Sequence, residues 1–199
     1  MKVMSAVKTS LLATTLATLG VAGIALAAPA KFNIDPAHTH PSFEADHMGG
    51  LSTWRGKFNS TSGTVTFDKE TGSGTLDVKI DVASIDFGND KLNTHAKSAE
   101  MFDVEKFPTA TYTGKLAGFS NGAPTEVDGT LQLHGVTRPV KLTINRFLCK
   151  PNPMNKKEVC GADASAKINR EDFGVSYGKA YGFNMDVKLQ IQVEAVRAD

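Results

Sequence analysis

Val187-Lys-Leu-Gln-Ile-Gln-Val-Glu194 alternates an aliphatic residue with a polar one along its whole length. Successive side chains of a β-strand point to opposite faces. Val187, Leu189, Ile191 and Val193 therefore make one apolar face, and Lys188, Gln190, Gln192 and Glu194 a wet one. The same period of two recurs in Leu76, Val78, Ile80 and Val82, set between Asp77, Lys79 and Asp81, and in Val140, Leu142 and Ile144, set between Lys141, Thr143 and Asn145. Half-buried strands carry this pattern. Strands of a parallel sheet, covered on both faces, read as unbroken apolar runs instead.

Shorter runs fill the gaps. Phe43, Ala45 and His47 share a face opposite Glu44 and Asp46; Trp54, Gly56 and Phe58 form another, as do Val65 with Phe67, Ala110 with Tyr112, and Val127, Gly129, Leu131 and Leu133. Ala162 to Ile168 adds a further strand. Asp68 to Gly74, Ser120 to Pro124 and the tight pair His134-Gly135 supply turns, with Gly and Asn where positive φ is needed. About eight strands joined by short turns predict an all-β antiparallel barrel or sandwich. One segment breaks the period: within Asn89 to Val104, Leu92, Ala96 and Ala99 follow helical spacing, so a short helical insertion, in one piece or two, is expected before Pro108.

The N-terminal stretch stands outside this pattern. Lys2 and Lys8 precede an uncharged run from Ser10 to Leu26, followed by Ala25-Leu26-Ala27. A charged start, an apolar stretch and a small-residue exit predict a secretory signal over residues 1–27, cleaved after Ala27, against the alternative of a retained membrane anchor. Residues 28–199 then form the folded domain. Without Lys2 and Lys8, 20 of the 22 basic residues face 21 acidic ones. A near-neutral chain without basic clusters argues against a nucleic-acid partner. In an exported chain the pair Cys149 and Cys160 reads as a disulfide restraining the polar, proline-containing loop Lys150–Val159. Two cysteines without a neighbouring histidine do not suit zinc.

Several stretches resemble one family. Asp35-Pro-Ala-His-Thr-His-Pro-Ser-Phe-Glu-Ala-Asp-His47 and Arg55-Gly-Lys-Phe58 look like the opening of the YceI-like, polyisoprenoid-binding family. His95-Ala-Lys-Ser-Ala-Glu-Met-Phe-Asp-Val-Glu-Lys-Phe-Pro108, Gly129-Thr-Leu-Gln-Leu-His-Gly-Val-Thr-Arg-Pro-Val140 and Asn169-Arg-Glu-Asp-Phe-Gly174 resemble later motifs of it, in the same order. The resemblance implies an eight-stranded, lipocalin-like barrel in the bacterial periplasm, with an isoprenoid chain or another long amphiphile in an elongated apolar pore. Pro41, Ala45 and Trp54 depart from the residues usual in that family's first strands, and the cysteine pair is not a general feature of it.

The expected ligand-lining residues are the inward ones: Phe43, Ala45, His47, Trp54, Phe58, Phe67, Leu76, Val78, Ile80, Met101, Phe102, Tyr112, Leu131, Leu133, Leu142, Ile144 and Phe173. An eight-stranded barrel is just wide enough to be filled by side chains or to hold one small ligand, and alternation alone does not choose between them. Phe173-Gly174 is expected to plug one end.

Catalysis finds little support. There is no Gly-x-Ser-x-Gly elbow, and Glu100 and Asp103 stand beside Lys97 and Lys106 as solvated or capping charges. His38, His40 and His47 invite a three-histidine metal site. His40, however, lies off the resembling positions, so no metal is expected. His47 reads as an inward group hydrogen-bonded in the wall, and His95 and His134 as locally bonded. Arg138 and Arg170 either pair a carboxylate such as Asp172 or Asp103 at a barrel edge, the reading preferred here, or meet a ligand phosphate. The sequence thus predicts a non-enzymatic periplasmic carrier of a polyisoprenoid or similar lipid, with no cofactor beyond that lipid and a transient membrane partner. The alternatives are an accessory protein carrying an isoprenoid quinone, a histidine-based metalloenzyme, and a structural protein with a filled barrel.

Overall fold

The structure is a computed structural model describing residues 29–198. The expected signal segment and its cleavage point lie outside the described residues. The strands are β1 (Ala30–Ile34), β2 (His40–His47), β3 (Ser52–Phe58), β4 (Thr61–Asp68), β5 (Ser73–Asp81), β6 (Ile85–Asp86), β7 (Thr109–Ala117), β8 (Glu126–Leu133), β9 (Val136–Pro139), β10 (Leu142–Pro151), β11 (Glu158–Asn169) and β12 (Asp186–Arg197), with one helix, α1 (Asp90–Lys97), between β6 and β7.

These segments are pieces of eight longer strands. β12 pairs along one edge with β2, from Val187↔Ala45 to Gln192↔His40, and further along that edge with β1, from Ile34↔Ala195 to Phe32↔Arg197. β1 and β2 are therefore one strand interrupted at Pro36, where Asp35 accepts from the Ala37 amide and its other oxygen meets His38 Nδ1 at 2.8 Å. β3 continues into β4 past Asn59 and Ser60, and β5 into β6 past a 3₁₀ turn at Val82–Ser84. The two interruptions are bonded to each other, since the Asn59 amide donates to the Ser84 carbonyl and the Asp81 amide to that of Ser60. β9 and β10 likewise lie on one edge of β8. Every strand then pairs with its neighbour in sequence, and the β1–β12 pairing closes the ring. This is the expected eight-stranded antiparallel barrel, and closure leaves it no open edge.

The strong alternations fall in β5, β10 and β12 as predicted. Four details differ. The run Val140 to Ile144 is split, because Val140 leaves the strand and its amide bonds the Gly129 carbonyl. β1 escaped prediction. The helix ends at Lys97, so Ala99 is exposed rather than on its inner face. Finally, the cysteines sit within β10 and β11, directly opposite each other, and the connecting loop is shorter than expected. The Cys149–Cys160 disulfide is formed, with Cα atoms 4.0 Å apart.

The two ends of the barrel differ. One end holds the disulfide and a cluster of Phe32, Phe67, Phe119 and Phe147, with Phe67 5.3 Å from Phe147 edge-on and 6.3 Å from Phe119 in a stack. The other end carries α1, the segment Ser98–Pro108 and the loop from Arg170 to Met185. Ala96 of α1 is fully buried against Phe43, Ile85 and Val187.

Candidate functional site

A cavity of about 470 Å³ occupies the barrel axis, from the phenylalanine cluster at one end to the α1 end, called the mouth below. That volume is in the range of small-molecule sites. Sixteen of the seventeen predicted residues line it, from Phe43, Ala45 and His47 on β2 to Ile144 on β10. Phe173 does not. It lies in a 3₁₀ turn, 2% exposed, packed with Tyr112, Val127 and Leu131, and its carbonyl accepts from His134 Nδ1 at 3.2 Å. Tyr112, Val127 and Leu131 themselves line the cavity, so Phe173 packs against the inward side chains without lining the cavity itself.

The wall is shaped by rings lying over glycines. A Cβ on Gly56 would stand 2.6 Å from Phe43 Cζ, so the glycine opposite lets that ring lie flat across β3. Gly129 does the same for Tyr112, whose hydroxyl crosses it to donate to the Val140 carbonyl at 2.7 Å. Burial raises the Tyr112 pKa, with a smaller push from the Asp128 charge.

Polar groups gather at the mouth. Asp46 accepts from the amides of Gly49 (3.0 Å), Gly50 (2.7 Å) and Asn184 (2.8 Å). These bonds, that from Asn184 foremost, hold its carboxyl below the usual range. His47 packs edge-on between Trp54 (5.4 Å) and Phe183 (5.3 Å). It is positioned by rings, not by the predicted hydrogen bond. His95 lies on the helix face that meets the cavity and packs 4.4 Å from the Tyr177 ring. Arg170 donates to the carbonyls of Val175 (2.9 Å) and Tyr177 (2.6 Å). It does not pair with Asp172 or Asp103, whereas Arg138 is exposed and reaches only the Thr137 carbonyl, at 3.4 Å. Sequence reading missed Phe87, Leu92, His95, Tyr177 and Phe183 as cavity residues, and held Arg170 only as the less preferred alternative. Leu92 and His95, three apart on α1, were legible as one helix face; the others lie in loops and turns without periodicity.

No three-histidine centre forms. His38 pairs with Asp35, and His40 and His47 stand at opposite ends of β2, about 23 Å apart along the strand. Among the described residues, the one grouping with metal-ligand geometry is Cys149, Glu158 and Cys160, and its two sulfurs are bonded to each other.

A family model for the YceI-like domain matches residues 32–195. The chain belongs to the YceI-like family. It is 35% identical over 193 residues to a UPF0312 protein of Pectobacterium atrosepticum, covering 96% of this chain and 97% of that one. It is also 34% identical over 194 residues to protein YceI of Salmonella arizonae, covering 96% and 98%. Among solved structures, Campylobacter jejuni YceI is similar with a TM-score of 0.63 at 26% identity, over 75% of this chain and 88% of that one. A polyisoprenoid binding domain from Saccharophagus degradans has a TM-score of 0.60 at 17% identity, over 83% and 98%, a likeness of fold. Within this YceI-like barrel two of the resembling motifs lie at the mouth: His95–Pro108 forms its cover, and Asn169–Gly174 carries Arg170.

Proposed function

We propose that this YceI-like protein is a periplasmic carrier that holds a polyisoprenoid or similar long amphiphilic lipid in the barrel and catalyses no reaction. The observation that carries the reading is the cavity itself: long, apolar along its walls, packed with phenylalanines at one end and polar at the other. A tail buried there gains about 25 cal/mol per Å² of apolar surface removed from water, while the polar head stays at the mouth. The name of the Saccharophagus neighbour points to the same ligand class. Export is supported by the disulfide, which persists in oxidising compartments, and by the charged, apolar and small-residue order of residues 1–27.

A transient membrane partner suits the mouth. Met48 (56% exposed) and Leu51 (73%) project from the β2–β3 turn, and Tyr181 (73%) from the facing loop. A Cβ on Gly49 would stand 3.1 Å from the Gly182 carbonyl, so the two loops adjoin. Exposed apolar side chains beside the mouth would give cargo a route to a bilayer without crossing water.

Native mass spectrometry of protein purified from its own host, followed by lipid extraction, tests the proposal. A bound long isoprenoid supports it. Protein that carries no lipid, and takes none up from isoprenoid micelles, would overturn it.

A further inference from the structure

The mouth contains a cation that the barrel itself does not neutralise. Arg170 is half-buried, lines the cavity, and makes no salt bridge among the described residues. Its two terminal nitrogens hold the carbonyls of Val175 and Tyr177, and its Nε has no acceptor among the described residues. Neutral carbonyls fix the guanidinium in place but leave its charge uncompensated, and withdrawing an unpaired charge from water is costly. Burial accordingly pushes the Arg170 pKa down, with Asp46 acting weakly against it. Asp46 is itself engaged by three backbone amides. The same Tyr177 whose carbonyl Arg170 binds packs its ring on His95, so the cation and an imidazole stand side by side at the opening.

We infer that Arg170 is the anchor for an anionic head, phosphate or carboxylate, of the amphiphile whose tail fills the barrel. The inference rests on the carrier reading and adds to it the chemistry of the head. A guanidinium prefers planar, bidentate contact with such oxyanions, and this one is already held in position by the loop it ties down. The head lies at the mouth, the tail points to the phenylalanine cluster, and an uncharged head of the same size leaves the cation unpaired.

Displacement of the fluorescent probe N-phenyl-1-naphthylamine from delipidated protein by farnesyl phosphate, farnesol and inorganic phosphate tests this. Farnesyl phosphate is expected to bind at least about tenfold more tightly than farnesol, the scale of one charge-assisted contact. In Arg170→Gln, which keeps an amide donor for the loop carbonyls, that ratio is expected to fall to near one. Equal affinities in the native protein, or a tenfold ratio surviving in Arg170→Gln, would overturn the assignment while leaving the carrier reading standing. Failure of both farnesyl compounds to displace the probe would sink the carrier reading and the assignment with it. Displacement by inorganic phosphate at the same concentrations as farnesyl phosphate would mark a free-anion site and also overturn the assignment. Should Arg170→Gln not fold, Arg170→Lys provides a second test: lysine keeps the positive charge but loses the planar, bidentate contact, so the ratio is expected to fall several-fold, and an unchanged ratio refutes the role of the guanidinium.

Discussion

Removing the disulfide by Cys149→Ser with Cys160→Ser is expected to destabilise the barrel without opening it. The bonded residues are 11 apart in sequence. In the chain-entropy model a closed loop of that length restrains the unfolded chain by about 9 cal/mol/K, or about 2.8 kcal/mol at 25 °C. For a domain of this size each kcal/mol moves Tm by about 2–4 °C, so the double variant should melt about 6–11 °C lower. The cost should appear mainly through the unfolded state, because the two cysteines are opposite partners in the β10–β11 ladder and remain so with serine in their place. Cys160 also packs against Phe32 and Phe67, so a small further loss from its replacement is expected. The assay is thermal unfolding by circular dichroism, with and without dithiothreitol. Reduction should lower the Tm of the native protein by a similar amount and leave that of the double variant where it is. A fall below about 2 °C, or a native protein indifferent to reductant under conditions that do break the bond, would refute the claim that this crosslink acts by restraining the unfolded chain.

Other predictions follow from the wall and the cavity. Tyr112→Phe should cost about 1–2 kcal/mol by leaving the buried Val140 carbonyl unpaired, read from urea unfolding. Because burial holds the Tyr112 pKa above its ordinary 10.0, the unfolded chain loses that proton first; native stability should therefore fall with rising pH above about 10, by up to about 1.4 kcal/mol per unit, and Tyr112→Phe should remove that component of the slope. Gly129→Val should destabilise by about 1–3 kcal/mol, since its Cβ would collide with the Tyr112 ring and lie 2.8 Å from the Thr113 carbonyl; a variant as stable as the native protein would show that β8 can shift away. Delipidated protein should melt below the loaded form, by about 2.7 kcal/mol at free lipid one hundredfold above its Kd; identical melting curves would count against cavity binding.

The sequence made the faces legible and left the joints obscure. Alternation is local: which side of β5 or β12 is apolar follows from the side-chain period and needs no knowledge of the neighbour. Closure is not local. That β1 and β2 are halves of one strand, and that β12 touches both, depends on pairings between residues far apart, such as Ile34 with Ala195. Phe173 illustrates the limit for the site, because a phenylalanine that lines a cavity and one that packs against the lining side chains carry the same letter and similar neighbours. Arg170 illustrates another. Its expected partners were carboxylates, which have a sequence identity, whereas its actual partners are backbone carbonyls, which every residue possesses. His95 and Tyr177 meet only because α1 and the loop after β11 cover the same end of the barrel.

Whether the barrel interior is a pore or a core turns on free energy. An unfilled apolar cavity costs about 24 cal/mol per Å³ in contacts its walls do not make, which for about 470 Å³ is on the order of 11 kcal/mol. That figure equals the whole stability of an ordinary domain. Water entering from the mouth reduces it but gains little from walls that offer few polar partners. Filling the space would take only commonplace changes to larger aliphatic side chains, since Ala45, Ala162 and Ala164 all line it. A barrel whose purpose was structural would recover several kcal/mol by such substitutions. This one instead keeps small residues inside, crosslinks β10 to β11 at the far end, and lays the rings of Phe43 and Tyr112 over glycines at Gly56 and Gly129. Stability forgone inside and reinforced by a crosslink at the end is what a container requires, and it ties the small residues of the wall to the same function as the polar groups at the mouth.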